Sequence, residues 1–197
     1  MELNFDYADG QTPIDEDEKL GLKIKSISTM GELNEFEQQN IEEAVLWANG
    51  RSFSALQILS LEFIQSVHKR MFKHVWKWAG AFRVSDKNIG VPFYLIRQEL
   101  LKLLDDCQYW IENDAYPPAE IAIRFKHKLV SIHLFPNGNG RHSRLMAEIL
   151  LKALDPNQAF TWGRKTLRKG EDRAAYLKAL KQADQGDIAP LLEFSRS

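Results

Sequence analysis

The residues best suited to chemistry lie together in HLFPNGNGRHSR, positions 133–144, where two histidines, two glycines, two asparagines and two arginines share twelve positions. Gly138 and Gly140 flank Asn139, and these residue types enter left-handed backbone conformations at low cost. A turn of that kind can aim successive N–H groups into one concavity that holds an anion. If a helix follows, its free N–H groups and its dipole add to the attraction. Arg141 and Arg144 are three apart in the first turn of that helix and share a face. Cations there oppose the helix dipole, a conflict that an anion between them resolves. His133 stands at the other edge of the turn. An ordinary histidine pKa of about 6.5 suits a general base near neutral pH, and a base beside a phosphate cradle points to attack of a hydroxyl on phosphorus.

Each residue also has a plainer reading. A histidine at a helix end can be a cap, a Gly-Asn-Gly turn can be a connector, and two arginines three apart can be a solvated face. Their concentration in twelve positions favours an anion site. The spacing of a Walker A loop and its lysine are absent, and no strand precedes the turn as a dinucleotide fingerprint requires. Zinc is the rival use of the histidines. However, His127, His133 and His142 lack the i, i+4 spacing of metal ligands, and no cysteine or glutamate joins them in a familiar pattern. His68 and His74 read as core or surface residues.

The elements that must position this stretch are helices. Apolar residues recur at helical spacing over 32–48, closed by Gly50, and again from Leu61 to Phe72 with Ser60 as N-cap. Ile96, Leu100, Leu103, Leu104, Cys107, Trp110 and Ile111 mark another stripe. Tyr116-Pro117-Pro118 ends it and starts the next helix, where proline is tolerated in the first turn. That helix, with Ile121, Ala122, Phe125, Leu129 and Ile132 as its buried stripe, runs into the quoted turn. An apolar helix follows from Leu145 to Leu154, and a final pair at about 170–184 and 188–195 is split by Gly186. Between the early helices, VWKWAGAFRVSDKNIGVPFYLI (75–96) reads as a loop with a small β-hairpin. The fold class is mainly α. Residues 1–31 read as an irregular leader and 32–197 as one domain.

Bulk properties agree. A chain of 197 residues supports one sizeable core. A net charge of −1 offers no basic field for nucleic acid. The acidic N-terminus lacks the apolar core of a signal peptide, and no window approaches the ~20 apolar residues of a transmembrane helix. The single cysteine, Cys107, cannot form an internal disulfide, which favours a reducing compartment. The expectation is a cytoplasmic protein with no nucleic-acid or membrane partner.

The motif resembles the signature of the Fic (Fic/Doc) family, H-x-F-x-[D/E]-G-N-G-R-x-x-R, at His133, Phe135, Gly138, Asn139, Gly140, Arg141 and Arg144. The similarity extends to WAGAFR (78–83) and AAYLKALKQADQGD near the C-terminus. With ELNEFEQQNIEEA and the FPNGNGRH variant, it is most similar to the subgroup called mobile mystery protein B. The resemblance implies a Fic-fold helical bundle with a β-hairpin flap, and an activity that transfers AMP from ATP to a Tyr, Ser or Thr hydroxyl of a target protein. It implies His133 as the base, backbone N–H groups of Gly138 to Gly140 on the phosphates with Asn139 near the α-phosphate, and Arg141 and Arg144 on the β- and γ-phosphates. Asn88, Ile89 and Gly90 of the flap would dock the target protein, and Tyr176 would border the adenine.

At one position the sequence departs from the signature. The acid that holds Mg²⁺ in the family is Asn137 here, so a Mg²⁺ or Mn²⁺ ion would rest on an uncharged amide and the nucleotide's own phosphates. Transfer of another phosphate-containing group, or a catalytically idle nucleotide- or protein-binding module, are the alternatives that this change leaves open. For regulation, Ser28 and Glu32 have the spacing of the family's inhibitory helix, with Leu33 departing from it. Glu32 is therefore the candidate for self-inhibition, against the plainer reading of an acid in the first turn of its helix. Failing that, a small antitoxin-like inhibitory protein is the expected partner, as in toxin–antitoxin pairs.

Overall fold

The computed structural model describes residues 14–163 and 171–197; the first part of the leader, residues 1–13, lies outside them. In chain order the helices are α1 (Glu16–Lys19), α2 (Met30–Asn49), α3 (Ala55–Ile58), α4 (Leu61–Phe72), α5 (Ile96–Glu112), α6 (Pro118–Ile132), α7 (Asn139–Leu154), α8 (Glu171–Asp184) and α9 (Ala189–Arg196). α6 and α7 form the centre. On α6, buried residues include Ala119, Ile121, Ala122, Ile123, Phe125, Leu129 and Ile132. On α7 they include Leu145, Met146, Ala147, Ile149, Leu150 and Leu151. Both helices are therefore buried on more than one side, as expected of elements enclosed by neighbours. α2 packs on α4, α5 and α9 on α6, and α8 on α9, while α3 and α4 reach α7.

The outer helices bury single stripes. α4 buries Leu61, Ile64, Val67, His68, Met71 and Phe72, the i, i+3, i+4, i+7 set expected from sequence, with the Ser60 hydroxyl accepting from the Phe63 N–H. α5 buries Ile96, Leu100, Leu103, Leu104 and Cys107 along one side. α6 starts at Pro118, where the missing N–H costs nothing. It ends at His133, whose backbone is left-handed at φ 60 and ψ 66. α2 starts two residues earlier than its apolar pattern suggests, because Thr29 and Glu32 form a capping box.

What is described of the leader is tied down. Ile14, Leu22 and Ile27 are buried in the core. Leu22 forms an isolated antiparallel bridge with Trp76. Gly21 leaves no room for a side chain, since a Cβ there would stand 2.6 Å from the Trp78 ring.

The hairpin expected within 75–96 is not formed. Among the described residues this stretch carries no strand, and residues 83–92 make a loop closed from inside by a side chain. Arg83, its side chain fully buried, donates from Nε to the His133 carbonyl at 2.7 Å and from Nη1 to the Ser85 carbonyl at 2.8 Å. Its Nη2 reaches the Val91 carbonyl. The loop carbonyls that would pair across a hairpin thus accept from one guanidinium. Pro92 has no N–H to give, and the Phe93 N–H goes to the Asp86 carboxylate. The turn residues were legible in sequence, but this buried arginine was not.

Because α7 is enclosed on several sides, shaving its core should be costly. Leu150→Ala is expected to lower stability by about 2–5 kcal/mol in urea unfolding, since Leu150 is fully buried between elements that cannot collapse onto the gap.

Candidate active site

The turn between α6 and α7 is held by its own side chains. The Asn139 carboxamide accepts from the Phe135 N–H at 2.9 Å and donates to the Phe135 carbonyl at 2.7 Å. Below the turn, the His68 ring lies flat on Phe135 with 3.7 Å between centroids. His68 Nδ1 accepts from the Gly80 N–H at 2.9 Å, which leaves the proton on Nε2 to be donated to the Asn137 carbonyl at 3.1 Å. His142 anchors α7 by donating from Nε2 to the Ile64 carbonyl at 3.0 Å. These histidines are parts of the scaffold. Among the described residues no group of three His, Cys, Asp or Glu side chains is placed to hold a metal ion.

Gly138 takes φ 78 with its α-carbon against Phe72, where an added Cβ would lie 2.5 Å from the ring. Gly140, in contrast, has nothing within 4 Å of a built Cβ and opens on the cleft. The first intrahelical bond of α7 runs from the His142 N–H to the Gly138 carbonyl. The N–H groups of Asn139, Gly140 and Arg141 precede it and have no intrahelical acceptor. This end of α7 borders a cleft of about 770 Å³, ample for a nucleotide-sized ligand.

The cleft collects most of the residues singled out in sequence. His133, Asn137, Gly138, Asn139, Gly140, Arg141 and Arg144 all line it, as do Ile89, Gly90 and Tyr176. Asn88 is exposed on the same loop but does not line the cleft. His133 is 3% exposed, and burial, with the charges of Arg83 and Lys87, lowers its pKa to about 4. It is a neutral imidazole across the physiological range. Gly90, at φ 98, lies so close that a Cβ would come 2.5 Å from the His133 Cβ, so the loop covers the base. The loop is in turn tied to the leader. Lys87, its side chain 3% exposed, is 2.6 Å from both Asp15 Oδ2 and Glu18 Oε2.

The two arginines are electrostatically unequal. Arg141 pairs at 2.6 Å with Glu37 of α2, a buried carboxylate that also accepts from Trp76 Nε1 at 2.6 Å. For Arg144 no ion pair with a carboxylate is found among the described residues. Its guanidinium lies 4.3 Å from the Tyr176 centroid and 5.5 Å from that of Trp162. Of the two motif arginines, Arg144 is therefore the one whose charge no described carboxylate answers. One side of the Tyr176 ring is occupied by that cation, which makes Tyr176 a seat for Arg144 ahead of a free adenine contact.

Glu32 is not brought to the arginines. Its carboxylate accepts from the Ser28 N–H and hydroxyl and from the Thr29 N–H, and it does not line the cleft. Those bonds lower its pKa, the Ser28 N–H most of all. A capping-box glutamate is already occupied, and the acid of α2 that meets an arginine lies five residues on, at Glu37.

A divalent ion does not fit the side chains present. The Asn137 amide oxygen accepts from the Gly138 N–H at 2.6 Å and lies 3.5 Å from Arg141 Nη2. The nearby carboxylate, Glu37, is taken by Trp76 and Arg141. Among the described residues the other carboxylate of the cleft, Asp184, is paired with His127 Nε2, so none there is unpaired for a hard cation.

Sequence reasoning missed Glu37, Lys87 and Lys126, and it did not see what Arg83 does. Glu37 and Lys126 fall on buried helix faces, Lys126 at the i, i+3, i+4, i+7 register of Ala122, Phe125, Lys126 and Leu129. A charged residue in a buried register was the available signal.

Comparison with known proteins fits this geometry. Residues 58–151 match the Fic/DOC family model. It is 28% identical over 181 residues to a protein adenylyltransferase Fic of Nematostella vectensis, covering 89% of this chain and 39% of that protein. With the Drosophila grimshawi protein of the same name it shares 30% over 156 residues, 77% of this chain and 30% of the relative. The chain thus spans well under half the length of these curated relatives. In fold it is similar to the N-terminal Fic domain of Bep8 from Bartonella sp. 1-1C (TM-score 0.70, 16% identity, 88% of this chain and 89% of that one). It is also similar to BepC from Bartonella tribocorum, solved with bound AMPPNP (TM-score 0.69, 19% identity, 92% and 97%).

Two outcomes follow from the scaffold. Gly138→Ala is expected to cost ~2 kcal/mol or more in chemical unfolding, from the positive φ and the clash with Phe72. His68, His133 and His142 are all held neutral by burial, His133 and His142 with pKa about 4 and His68 well below 6.5. An unfolded chain takes up these protons below about pH 6.5. Thermal melts should therefore show full stability above that pH and a falling midpoint from pH 6.5 towards 4.

Proposed function

We propose that this chain transfers AMP from ATP to a Tyr, Ser or Thr hydroxyl of a target protein. The observation that carries the reading is the joint placement of a neutral, buried His133 and a helix N-terminus with an open glycine and an uncompensated arginine on one cleft. His133 takes the proton of the attacking hydroxyl, whose oxygen forms a bond to the α-phosphorus. The bond from that phosphorus to the bridging oxygen of the β-phosphate breaks, and pyrophosphate leaves. The N–H groups at the start of α7 and the Arg144 guanidinium hold the phosphate oxygens as charge moves on to the leaving group. The names of the relatives and the AMPPNP in the BepC domain support ATP as the donor. Because the residues do not fit a divalent ion, no step here depends on one.

The target protein docks along the loop of residues 84–92, where Val84 and Ile89 are exposed beside the cleft mouth. The FPNGNGRH and ELNEFEQQNIEEA segments support the mobile mystery protein B subgroup. With Glu32 spent on its cap, inhibition falls to a separate antitoxin-like protein. A cytoplasmic setting is supported by the one cysteine, Cys107, buried and unpaired. No helix among the described residues is long and apolar enough to cross a membrane. A second reading, transfer of another phosphate-containing group, is favoured by Asn137 in place of an acid and by the neutralisation of Arg141.

The test is incubation with ATP labelled at the α-phosphate, divalent cation and a cell lysate, across pH 4–8. Protein-bound label is expected, reduced ~10²- to 10⁴-fold by His133→Ala. On the acid side the rate should hold to about pH 5 and fall only as His133 protonates near 4. Label that survives His133→Ala, or a half-maximal rate near pH 6.5, would refute this assignment of the base. Label from a different donor alone would select the second reading.

A further inference from the structure

Lys126 is a lysine inside the core, fully buried on α6 and outside the cleft lining. No carboxylate pairs with it among the described residues: the nearby Asp184 is engaged by His127 Nε2 at 2.8 Å. Its Nζ shares a hydrogen bond with the Tyr176 hydroxyl and lies 4.3 Å from the Tyr176 ring centroid. The Arg144 guanidinium rests on the same side chain, its carbon 4.3 Å from the ring centroid. Tyr176 therefore joins a buried amine to Arg144, the motif arginine that no described carboxylate neutralises.

Two cations in contact with one phenol inside the core repel strongly. Arginine keeps its proton under almost any conditions, so the lysine yields. Burial and then the charge of Arg144 push the Lys126 amine well below its ordinary pKa. An uncharged amine has a free lone pair. It can accept the phenolic proton, which fixes the ring on whose face Arg144 rests.

We propose that Lys126 is a positioning residue, acting through the Tyr176 hydroxyl to hold Arg144 where it meets the terminal phosphates of the bound nucleotide. This rests on the reading of the cleft as a nucleoside-polyphosphate site and adds to it the part that sets the preference for a polyphosphate over a monophosphate. The seat has three layers: the Tyr176 ring face, the Tyr176 hydroxyl, and the Lys126 amine behind it. Trp162, fixed by its own bond from Nε1 to Glu148 at 2.6 Å, bounds Arg144 as well.

The experiment is calorimetric titration of the full chain with ATP, ADP and AMP. Lys126→Met and Tyr176→Phe are each expected to weaken ATP by ~5-fold or more, the value of a hydrogen bond between uncharged partners. AMP, which does not reach Arg144, should change by less than ~3-fold. Lys126→Gln, uncharged but still able to accept from the phenol, should recover most of the ATP affinity. If Lys126→Met does not fold, Tyr176→Phe decides, because it removes one oxygen and keeps the ring. Equal losses for ATP and AMP, or an unchanged ratio, would overturn the positioning role. A wild-type chain that binds no ATP would overturn the nucleotide reading itself, and this inference with it.

Discussion

The reciprocal pair of hydrogen bonds between the Asn139 carboxamide and the Phe135 backbone is the contact on which the site depends. It closes the turn so that α7 begins immediately beside the end of α6. His133, left-handed at that end, then faces the same cleft as the free N–H groups of α7. His68 supports the turn from below by stacking on Phe135 and bonding the Asn137 carbonyl, while Gly138 lets the backbone pass over Phe72. Most polar side chains of the motif are thus occupied in holding its shape. The surfaces left for a ligand are backbone N–H groups, an open glycine and a guanidinium.

Charge in the cleft is rationed in the same way. Glu37 cancels Arg141, and burial, with Arg83 and Lys87, keeps His133 neutral, so of the two motif arginines Arg144 keeps its charge unanswered. A neutral base and a separate cation can act on opposite parts of one reaction without opposing one another. The Lys87 clamp adds a mechanical side: through Asp15 and Glu18, the described part of the leader holds the loop that lies over His133. Leader, loop and base are therefore one connected unit.

Much of this was legible in sequence where periodicity carried it. The stripes of α4 and α6 and the turn between α6 and α7 follow from residue spacing, because an amphipathic helix has one arrangement that buries its apolar face. The hairpin was misread for an equally physical reason. Turn residues between β-prone runs describe a hairpin only if the backbone groups pair with each other, and here Arg83 takes the carbonyls. Glu32 takes the plainer of its two readings, since a Ser-to-Glu spacing is shared by an inhibitory helix and the first turn of a capped helix, and here its carboxylate bonds Ser28 and Thr29.

By itself, the sequence determined the mainly helical class, the turn, and the residue types gathered around it, because each of these depends on neighbours within a few positions. It could not determine which charge answers which. Glu37 meets Arg141 across 104 positions of chain, and Lys126 meets Tyr176 across 50. Such pairings depend on how helices pack, and packing is set by the whole core. Only the tertiary structure could decide that one motif arginine is neutralised, that the other rests on a phenol, and that a buried lysine stands behind it.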